Sequence, residues 1–266
     1  MRIKKIDASP ILDSRGEWTL ETKIILENGI VAAASVPKGI SAGKYEAVSL
    51  PVSKAVKVVK TILNNNLRHL DPLNQKQLDE KMIRLDKTKN KSRLGANALL
   101  SVSMAAARAA AAFKKQPLWK YLSALYGKRE VSAKFPLLFM VMIEGGRHGR
   151  NNLEFQEYLV IPNTSNLQRA IDIGTKMYSR LQNYLENNLG GQACGIGDEG
   201  AYSPNMTSPE EPFKIFAKLV KQLQITNQVV FGLDAAASEI RKSTNYLLNF
   251  YKKIVANYKI LYLEDV

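Results

Sequence analysis

The stretch VVFGLD, Val229 to Asp234, is an unbroken apolar run that ends in a carboxylate. A run without polar alternation is typical of a strand buried on both faces. Thirty positions later, KILYLEDV places Glu264 and Asp265 directly after the apolar residues Ile260 to Leu263. This spacing predicts a strand, a crossover and a second, parallel strand.

Both predicted strands end in an acid. Parallel strands bring their C-terminal ends to the same mouth of a sheet or barrel, where active sites of such folds lie. Asp234 and Glu264 are therefore candidate ligands for a shared Mg2+, because hard divalent cations prefer oxygen donors. The alternative is that each acid only caps the helix that follows it. The spacing alone leaves both interpretations open.

Composition and length describe a soluble protein with a sizeable core. The chain has 266 residues, 45% of them hydrophobic and 23% charged, enough for one large domain or two ordinary ones. The N-terminus has no signal-peptide pattern. The alanine-rich run from Ala96 to Phe113 includes Asn97 and Arg108, which favours a buried helix, and no membrane association is expected. A single cysteine, Cys194, suits the reducing cytoplasm, where we expect this protein.

The net charge is +14 and the isoelectric point is near 9.7. The lysines are spread over the exposed faces of predicted helices, without interleaved aromatic residues. This pattern indicates a solvated basic surface, and nucleic-acid binding is not expected although the charge is strongly basic. The alternative is a general attraction to anionic partners, nucleic acid included.

Residues 1–128 are predicted to form an α+β domain. Three strands occupy residues 1 to about 36, and Asn28-Gly29 between two of them is a hairpin signal. Helical spacing of apolar residues follows, and helices are predicted over residues 51–67, 73–85, 96–113 and 117–125. Strands followed by helices make an α+β unit. The charged, turn-rich segment 127–132 marks its end.

Residues 133–266 are predicted to form the first half of an α/β barrel. Buried strands are predicted at residues 135–143 and 157–162, before the two acid-tipped strands. Long helices are predicted at residues 168–189 and 209–223. The loop GIGDEGAYSPN between these helices is rich in glycine and acidic residues. Buried strands with intervening helices fit a barrel.

Eight motifs, in chain order, resemble the enolase family. They are LDSRG (12–16), VPKGISAGKYEA (36–47), LGANALLSVSMAAARAAA (94–111), GGRH (145–148), FQEYLVIP (155–162), GDEG (197–200), GLDAAASE (232–239) and LEDV (263–266). Each motif alone is weak evidence, but coincidence is a negligible explanation for eight motifs in the same order. The resemblance implies an α/β fold, in which an N-terminal α+β domain precedes an enolase-type TIM-like barrel.

Enolases dehydrate 2-phosphoglycerate reversibly to phosphoenolpyruvate in glycolysis and gluconeogenesis. The resemblance therefore implies a Mg2+-dependent lyase, phosphopyruvate hydratase, that acts on this small molecule and forms a homodimer when full length. The proton removed lies next to a carboxylate, so enolases place metal ions at that group together with a lysine base, a pattern described for the superfamily.

The resemblance also assigns roles to individual residues. Asp234 and Glu264 become ligands of the tighter Mg2+. Ser41 lies in a loop that closes over the substrate, and it helps to hold a second Mg2+. When any one of these residues is considered alone, the alternative is a purely structural role, such as a turn acid or a helix cap.

The catalytic assignment falls on two glutamates. Glu199 is the acid that helps hydroxide leave from the third carbon of the substrate. Glu157 has a catalytic and substrate-binding role, and His148, Gln156 and Ser41 line the substrate pocket with it.

The chain also departs from the family pattern. GISAG lacks a second hydroxyl residue, and Ala201-Tyr202 follows GDEG in place of glycine and an apolar residue. The third metal aspartate and the base lysine match no residue up to Val266, so we expect these 266 residues to be incomplete for catalysis alone. A non-catalytic binding protein derived from enolase, acting through its basic surface, is the main alternative. A different acid-sugar enzyme of the superfamily is disfavoured by the GDEG and LGANALL motifs.

Overall fold

A computed structural model describes residues 1–37, 39, 45–127 and 135–266. The chain divides into two compact units, Met1–Ser132 and Ala133–Val266. Ser41 and the predicted domain end at residues 128–132 lie outside the described residues.

The first unit begins with an antiparallel sheet in the order β1-β2-β3. Its strands are β1 (Ile3–Leu12), β2 (Trp18–Leu26) and β3 (Val31–Val36). The predicted hairpin between β2 and β3 is confirmed, and Gly29 takes a φ of +87° there. A left-handed backbone of this kind is accessible to glycine at little cost.

Helices cover this sheet. They are α1 (Val52–Val58), a π-helical turn (Val59–Leu63), α2 (Asn64–Leu67), α3 (Gln75–Asp86), α4 (Ala96–Phe113) and α5 (Leu118–Leu125). The π-helical turn interrupts what the sequence predicts as one regular helix. The helix α4 packs against β2 and β3, and the buried hydroxyls of Thr22 and Ser101 lie 2.7 Å apart at that contact.

Among the described residues, only Ala96–Phe113 forms a helix long and apolar enough to cross a membrane, judged by length and composition. Some 61% of this stretch is buried inside the protein. A helix that is apolar over most of its surface and largely buried is typical of a domain core.

The second unit contains a four-stranded sheet in the order β4-β5-β6-β7. Its strands are β4 (Met140–Glu144), β5 (Glu157–Pro162), β6 (Val229–Asp234) and β7 (Ile260–Glu264). Strand β5 runs antiparallel to both of its neighbours, whereas β6 and β7 are parallel. The parallel pair that the sequence predicts is therefore confirmed.

Three long helices pack on this sheet: α6 (Leu167–Leu189), α7 (Glu211–Gln222) and α8 (Thr244–Asn257). Aromatic residues join the layers. The ring of Phe155 stacks on Phe250 of α8 at 4.5 Å, and Tyr158 of β5 lies 5.4 Å from Phe213 of α7. Such pairs add about 1 kcal/mol each beyond the area they bury, so they help to hold α7 and α8 against this sheet.

Two strand predictions need correction. The strand predicted from Phe135 begins only at Met140, and Phe135 is exposed. Pro136 has no N–H to donate to a ladder. We predicted that β7 is buried on both faces, but Leu261 is 54% exposed, so this edge strand is partly open to solvent.

A buried acid ties α7 to α8 and gives a pH-dependent contribution to stability. Lys253 Nζ lies 2.7 Å from Glu210 Oε2, and the Tyr258 hydroxyl donates to Glu210 Oε1 at 3.1 Å. The hydrogen bond from Lys253 is the main cause of the lowered pKa of Glu210. A lowered folded-state pKa stabilises the protein above the unfolded pKa, and this stabilisation is lost as pH falls through the folded pKa.

We expect Glu210→Gln to lower the free energy of unfolding by about 2 kcal/mol at neutral pH, the scale of a hydrogen bond to a charged group. The difference from wild type should vanish in acid, where Glu210 is protonated. Urea unfolding at both pH values measures this. Exposed Glu186 supplies the control, since Glu186→Gln should have little effect; a Glu210→Gln deficit that persists in acid would contradict the assignment.

Candidate active site

Four carboxylates form a row across the second sheet. Glu144 is the register partner of Glu157, Glu157 of Asp234, and Asp234 of Glu264. Side chains directly opposite one another on neighbouring strands point to the same side of a sheet. Because β5 is antiparallel to its neighbours, its first residue aligns with the last residues of the other strands. The four acids therefore lie together at one end of the strands.

Asp234 and Glu264 lie side by side at the ends of β6 and β7. Burial is the main cause of the raised pKa of Asp234, and the charges of Glu264 and Asp265 raise it further. Asp234 Oδ1 accepts from the N–H of Ala236 at 3.1 Å, so it fixes the turn after β6. It does not cap α8, which begins after Ser243.

This pair fits a Mg2+ ion in its chemistry. Both residues offer carboxylate oxygens, the donors that Mg2+ prefers, and the ion usually retains several water ligands. The crowding of acids that raises the pKa of Asp234 is relieved by a cation placed between them. Glu264 is also oriented, since the Tyr262 hydroxyl donates to its Oε2 at 2.7 Å.

His148 lies on a tight loop after β4. The loop is closed by hydrogen bonds from the N–H groups of His148 and Gly149 to the carbonyl of Gly145. A Cβ at Gly145 would meet the carbonyl of Phe155 at 2.6 Å, so only glycine permits this approach. The loop holds the imidazole in a buried position, with 5% of the side chain exposed.

The His148 imidazole faces two glutamates from distant parts of the chain. Its Nδ1 lies 3.2 Å from Glu199 Oε1 and 3.9 Å from Glu157 Oε1. Neither contact is a hydrogen bond, because the angle is unfavourable for Glu199 and the distance to Glu157 is too long. Among the described residues, Nδ1 therefore has no hydrogen-bond partner. The sequence-predicted residues His148, Glu157 and Glu199 are thus brought together.

Gln156 and Ser41 complete the predicted set. Gln156 is 7% exposed, and its backbone N–H donates to the carbonyl of Asp234 at 3.2 Å. It therefore lies within the same cluster. Ser41 is outside the described residues, so its role stays a prediction.

Glu157 has the most strongly shifted pKa among the acids of this cluster. Burial, followed by the negative charges of Glu199 and Asp234, raises its pKa to about 7. A glutamate with such a pKa can hold a proton near neutral pH and give it to a substrate.

We expect Glu199→Gln to lower the pKa of Glu157 below about 7, because the mutation removes a neighbouring negative charge. Burial would still hold it above the usual glutamate range. Carbon-13 NMR titration of the Glu157 carboxyl measures the change. Glu154→Gln is the matched control, and an unaltered Glu157 titration in Glu199→Gln would show that repulsion by Glu199 is not a cause.

Glu144 is a site residue that sequence reasoning missed. Its carboxylate is fully buried, and it accepts the N–H of Ala201 at 2.7 Å and the N–H of Glu199 at 3.2 Å. Burial is the main cause of its raised pKa. Glu144 therefore anchors the loop that presents Glu199 to His148. The only sequence signal was an acid directly before GGRH at the end of an apolar strand.

Glu144→Ala should leave the buried amide of Ala201 and the partly buried amide of Glu199 without an acceptor. An unpaired buried donor costs about 2 kcal/mol, so amide hydrogen exchange at these two positions should become roughly thirty-fold faster. Glu154→Ala, which removes an acid paired with Lys242 at 2.9 Å, is the control. Unchanged protection at Ala201 would show that Glu144 does not hold the loop.

Two family models match the chain in tandem. The model for "Enolase, N-terminal domain" matches residues 3–122, and the model for "Enolase, C-terminal TIM barrel domain" matches residues 132–265. The chain belongs to the enolase family. The resemblance carried by the eight motifs is thereby confirmed, and so is the fold class: an enolase N-terminal domain followed by part of an enolase barrel.

Individual enolases give the same result. The chain is 37% identical to "Enolase" of Methanocaldococcus jannaschii over 99% of its length and 66% of the relative. It is 37% identical to "Enolase" of Methanopyrus kandleri over 99% of its length and 67% of the relative. It is 35% identical to "Enolase B" of Dictyostelium discoideum over all of its length and 67% of the relative. The chain thus spans about two thirds of the length of the curated enolases that it matches.

Proposed function

We propose that this chain carries the metal-binding and leaving-group side of an enolase, which dehydrates 2-phosphoglycerate reversibly to phosphoenolpyruvate with Mg2+. The observation that carries the proposal is the convergence of Glu199 and Glu157 on buried His148. Asp234 is the register partner of Glu157 and adjoins Glu264, so the metal ligands lie beside this cluster.

The leaving-group step needs a proton donor, because hydroxide is a poor leaving group in water. Glu199 is partly exposed, with 37% of its side chain accessible, so it can reach a substrate while Glu144 holds its backbone. Glu157 and His148 line the inner side of the cluster and bind the substrate with Gln156. General acid catalysis of this kind contributes roughly 10²- to 10⁴-fold in rate.

The metal ion belongs at Asp234 and Glu264. When bound, Mg2+ would neutralise the extra negative charge that develops on the substrate carboxylate, a form of electrostatic stabilisation that is often the largest catalytic contribution. The residues of this chain supply its oxygen ligands from half-buried Asp234 and exposed Glu264.

We also propose a cytoplasmic location and a homodimeric assembly. A glycolytic lyase with one cysteine fits the cytoplasm, and a homodimer is the assembly implied by the family resemblance. The alternative of a non-catalytic binding protein is not favoured, since both matched domain models and the similar proteins are enolases.

The test is phosphoenolpyruvate formation, followed by ultraviolet absorbance in excess Mg2+. The protein joins these 266 residues to the remaining third of Methanocaldococcus jannaschii enolase, so that the outcome does not depend on where the chain ends. We expect Mg2+-dependent turnover. A joined protein that melts cooperatively and binds Mg2+ but forms no phosphoenolpyruvate would contradict the proposal.

A further inference from the structure

The group formed by His148, Glu157 and Glu199 has the donor set of a second metal centre. One ligand atom from each residue can be chosen so that all three lie within 4.8 Å of one another. The set contains an imidazole nitrogen, unlike the oxygen-only pair of Asp234 and Glu264. Imidazole with carboxylates suits Zn2+ and similar transition metals, whereas Mg2+ takes oxygen ligands.

An unpartnered nitrogen points into this group. The Nδ1 atom of His148 is buried and makes no hydrogen bond among the described residues. A buried polar atom without a partner is costly, and most such atoms in folded proteins are satisfied. Nδ1 nevertheless faces two carboxylates, and a cation between them would satisfy all three residues together.

The spacing of these atoms is close to that of a tetrahedral site. Ligand atoms at about 2.0 Å from Zn2+ are separated from one another by about 3.3 Å. His148 Nδ1 lies 3.2 Å from Glu199 Oε1 and 3.9 Å from Glu157 Oε1, so only a small movement of Glu157 is needed. The closed glycine loop around His148 fixes one ligand, and the anchoring of the Glu199 backbone by Glu144 restrains another.

We propose that His148, Glu157 and Glu199 bind a transition-metal cation of the Zn2+ class, at a site with ligands different from those of the Mg2+ pair. Three protein ligands leave a fourth position for water on the side where Glu199 is exposed. The inference does not rest on the proposed dehydratase activity. If that activity holds, Zn2+ at this site inhibits it, because the cation occupies the oxygens of Glu199 and Glu157.

The chain offers a matched control, because it has two histidines. His69 lies in the other unit with 62% of its side chain exposed. Calorimetry of the 266-residue chain with Zn2+ should show one site whose affinity falls at least ten-fold in His148→Asn and in Glu199→Gln, and is unchanged in His69→Asn. A large excess of Mg2+ should leave Zn2+ bound.

Nitrogen-15 NMR of the imidazoles in the unaltered chain gives a test that needs no variant. Addition of Zn2+ should shift the Nδ1 resonance of one histidine, which is assigned as His148 by its persistence in His69→Asn. Zn2+ affinity that survives His148→Asn, displacement of Zn2+ by Mg2+, or a wild-type spectrum in which Zn2+ moves neither imidazole would each overturn the proposal. A His148→Asn variant that fails to melt cooperatively leaves the decision to the wild-type spectrum.

Discussion

Asp234→Asn should abolish Mg2+ binding by this chain. Asp234 and Glu264 supply only part of a shell of about six oxygens, so the wild-type affinity itself should be modest, with water completing the shell. The substitution replaces a carboxylate with a neutral amide, whose oxygen is a weaker ligand, and it removes half of the negative charge of the pair. Titration calorimetry with Mg2+ should give a measurable heat for the wild type and none for Asp234→Asn.

Glu239→Gln is the matched control for this result. Glu239 lies in the turn after β6 and pairs with Arg147 at 3.0 Å, so its loss changes the net charge by the same amount near the same strand. Mg2+ binding should be unaffected by it. Mg2+ binding that survives Asp234→Asn, or that falls equally in both variants, would refute the assignment of the metal pair.

The second large effect is expected from Glu199→Gln in the joined protein. Glutamine keeps the shape of the side chain and can still lie beside His148, but it cannot protonate a leaving hydroxide. Phosphoenolpyruvate formation should fall by roughly 10²- to 10⁴-fold, the range for loss of a general acid. The Michaelis constant should change much less, because the group acts mainly in the transition state.

Asp198→Asn tests whether the effect belongs to Glu199 or to its loop. Asp198 is the neighbouring acid in GDEG, and its N–H donates to the carbonyl of His148 at 3.2 Å, a contact that the substitution keeps. Turnover by Asp198→Asn should stay within a few-fold of wild type. Equal losses in both variants would mean that the loop, not the Glu199 carboxyl, had been damaged.

The sequence predicted the strands β6 and β7 because each is a short apolar run ending in an acid, a pattern that burial and length determine locally. Their parallel pairing followed from the thirty-residue spacing. The alanine-rich helix α4 also has the predicted bounds. The bounds of each element depend on residues that are close together in the chain, and the pairing of β6 with β7 spans a single crossover.

What the sequence did not predict depends on distant residues. Glu144 looks like an ordinary loop acid until the segment at residues 197–201 folds against it, more than fifty positions later. The gathering of His148 with Glu199 was predicted only through the family resemblance. The exposure of Leu261 reflects its position in the sheet, which an apolar run alone does not disclose. The late start of β4 at Met140 is different, because Pro136 is a local signal that the apolar run concealed.

The role of Glu199 is tested most directly by following two steps of the reaction in one sample. Glu199→Gln in the joined protein is incubated with 2-phosphoglycerate and Mg2+ in deuterium oxide, and proton NMR records both deuterium entry at the second carbon and phosphoenolpyruvate. If Glu199 acts on the leaving hydroxide, removal of the α-proton continues and deuterium enters the substrate, while product formation falls by orders of magnitude. Loss of deuterium entry in parallel with product, or normal product formation, would contradict the account.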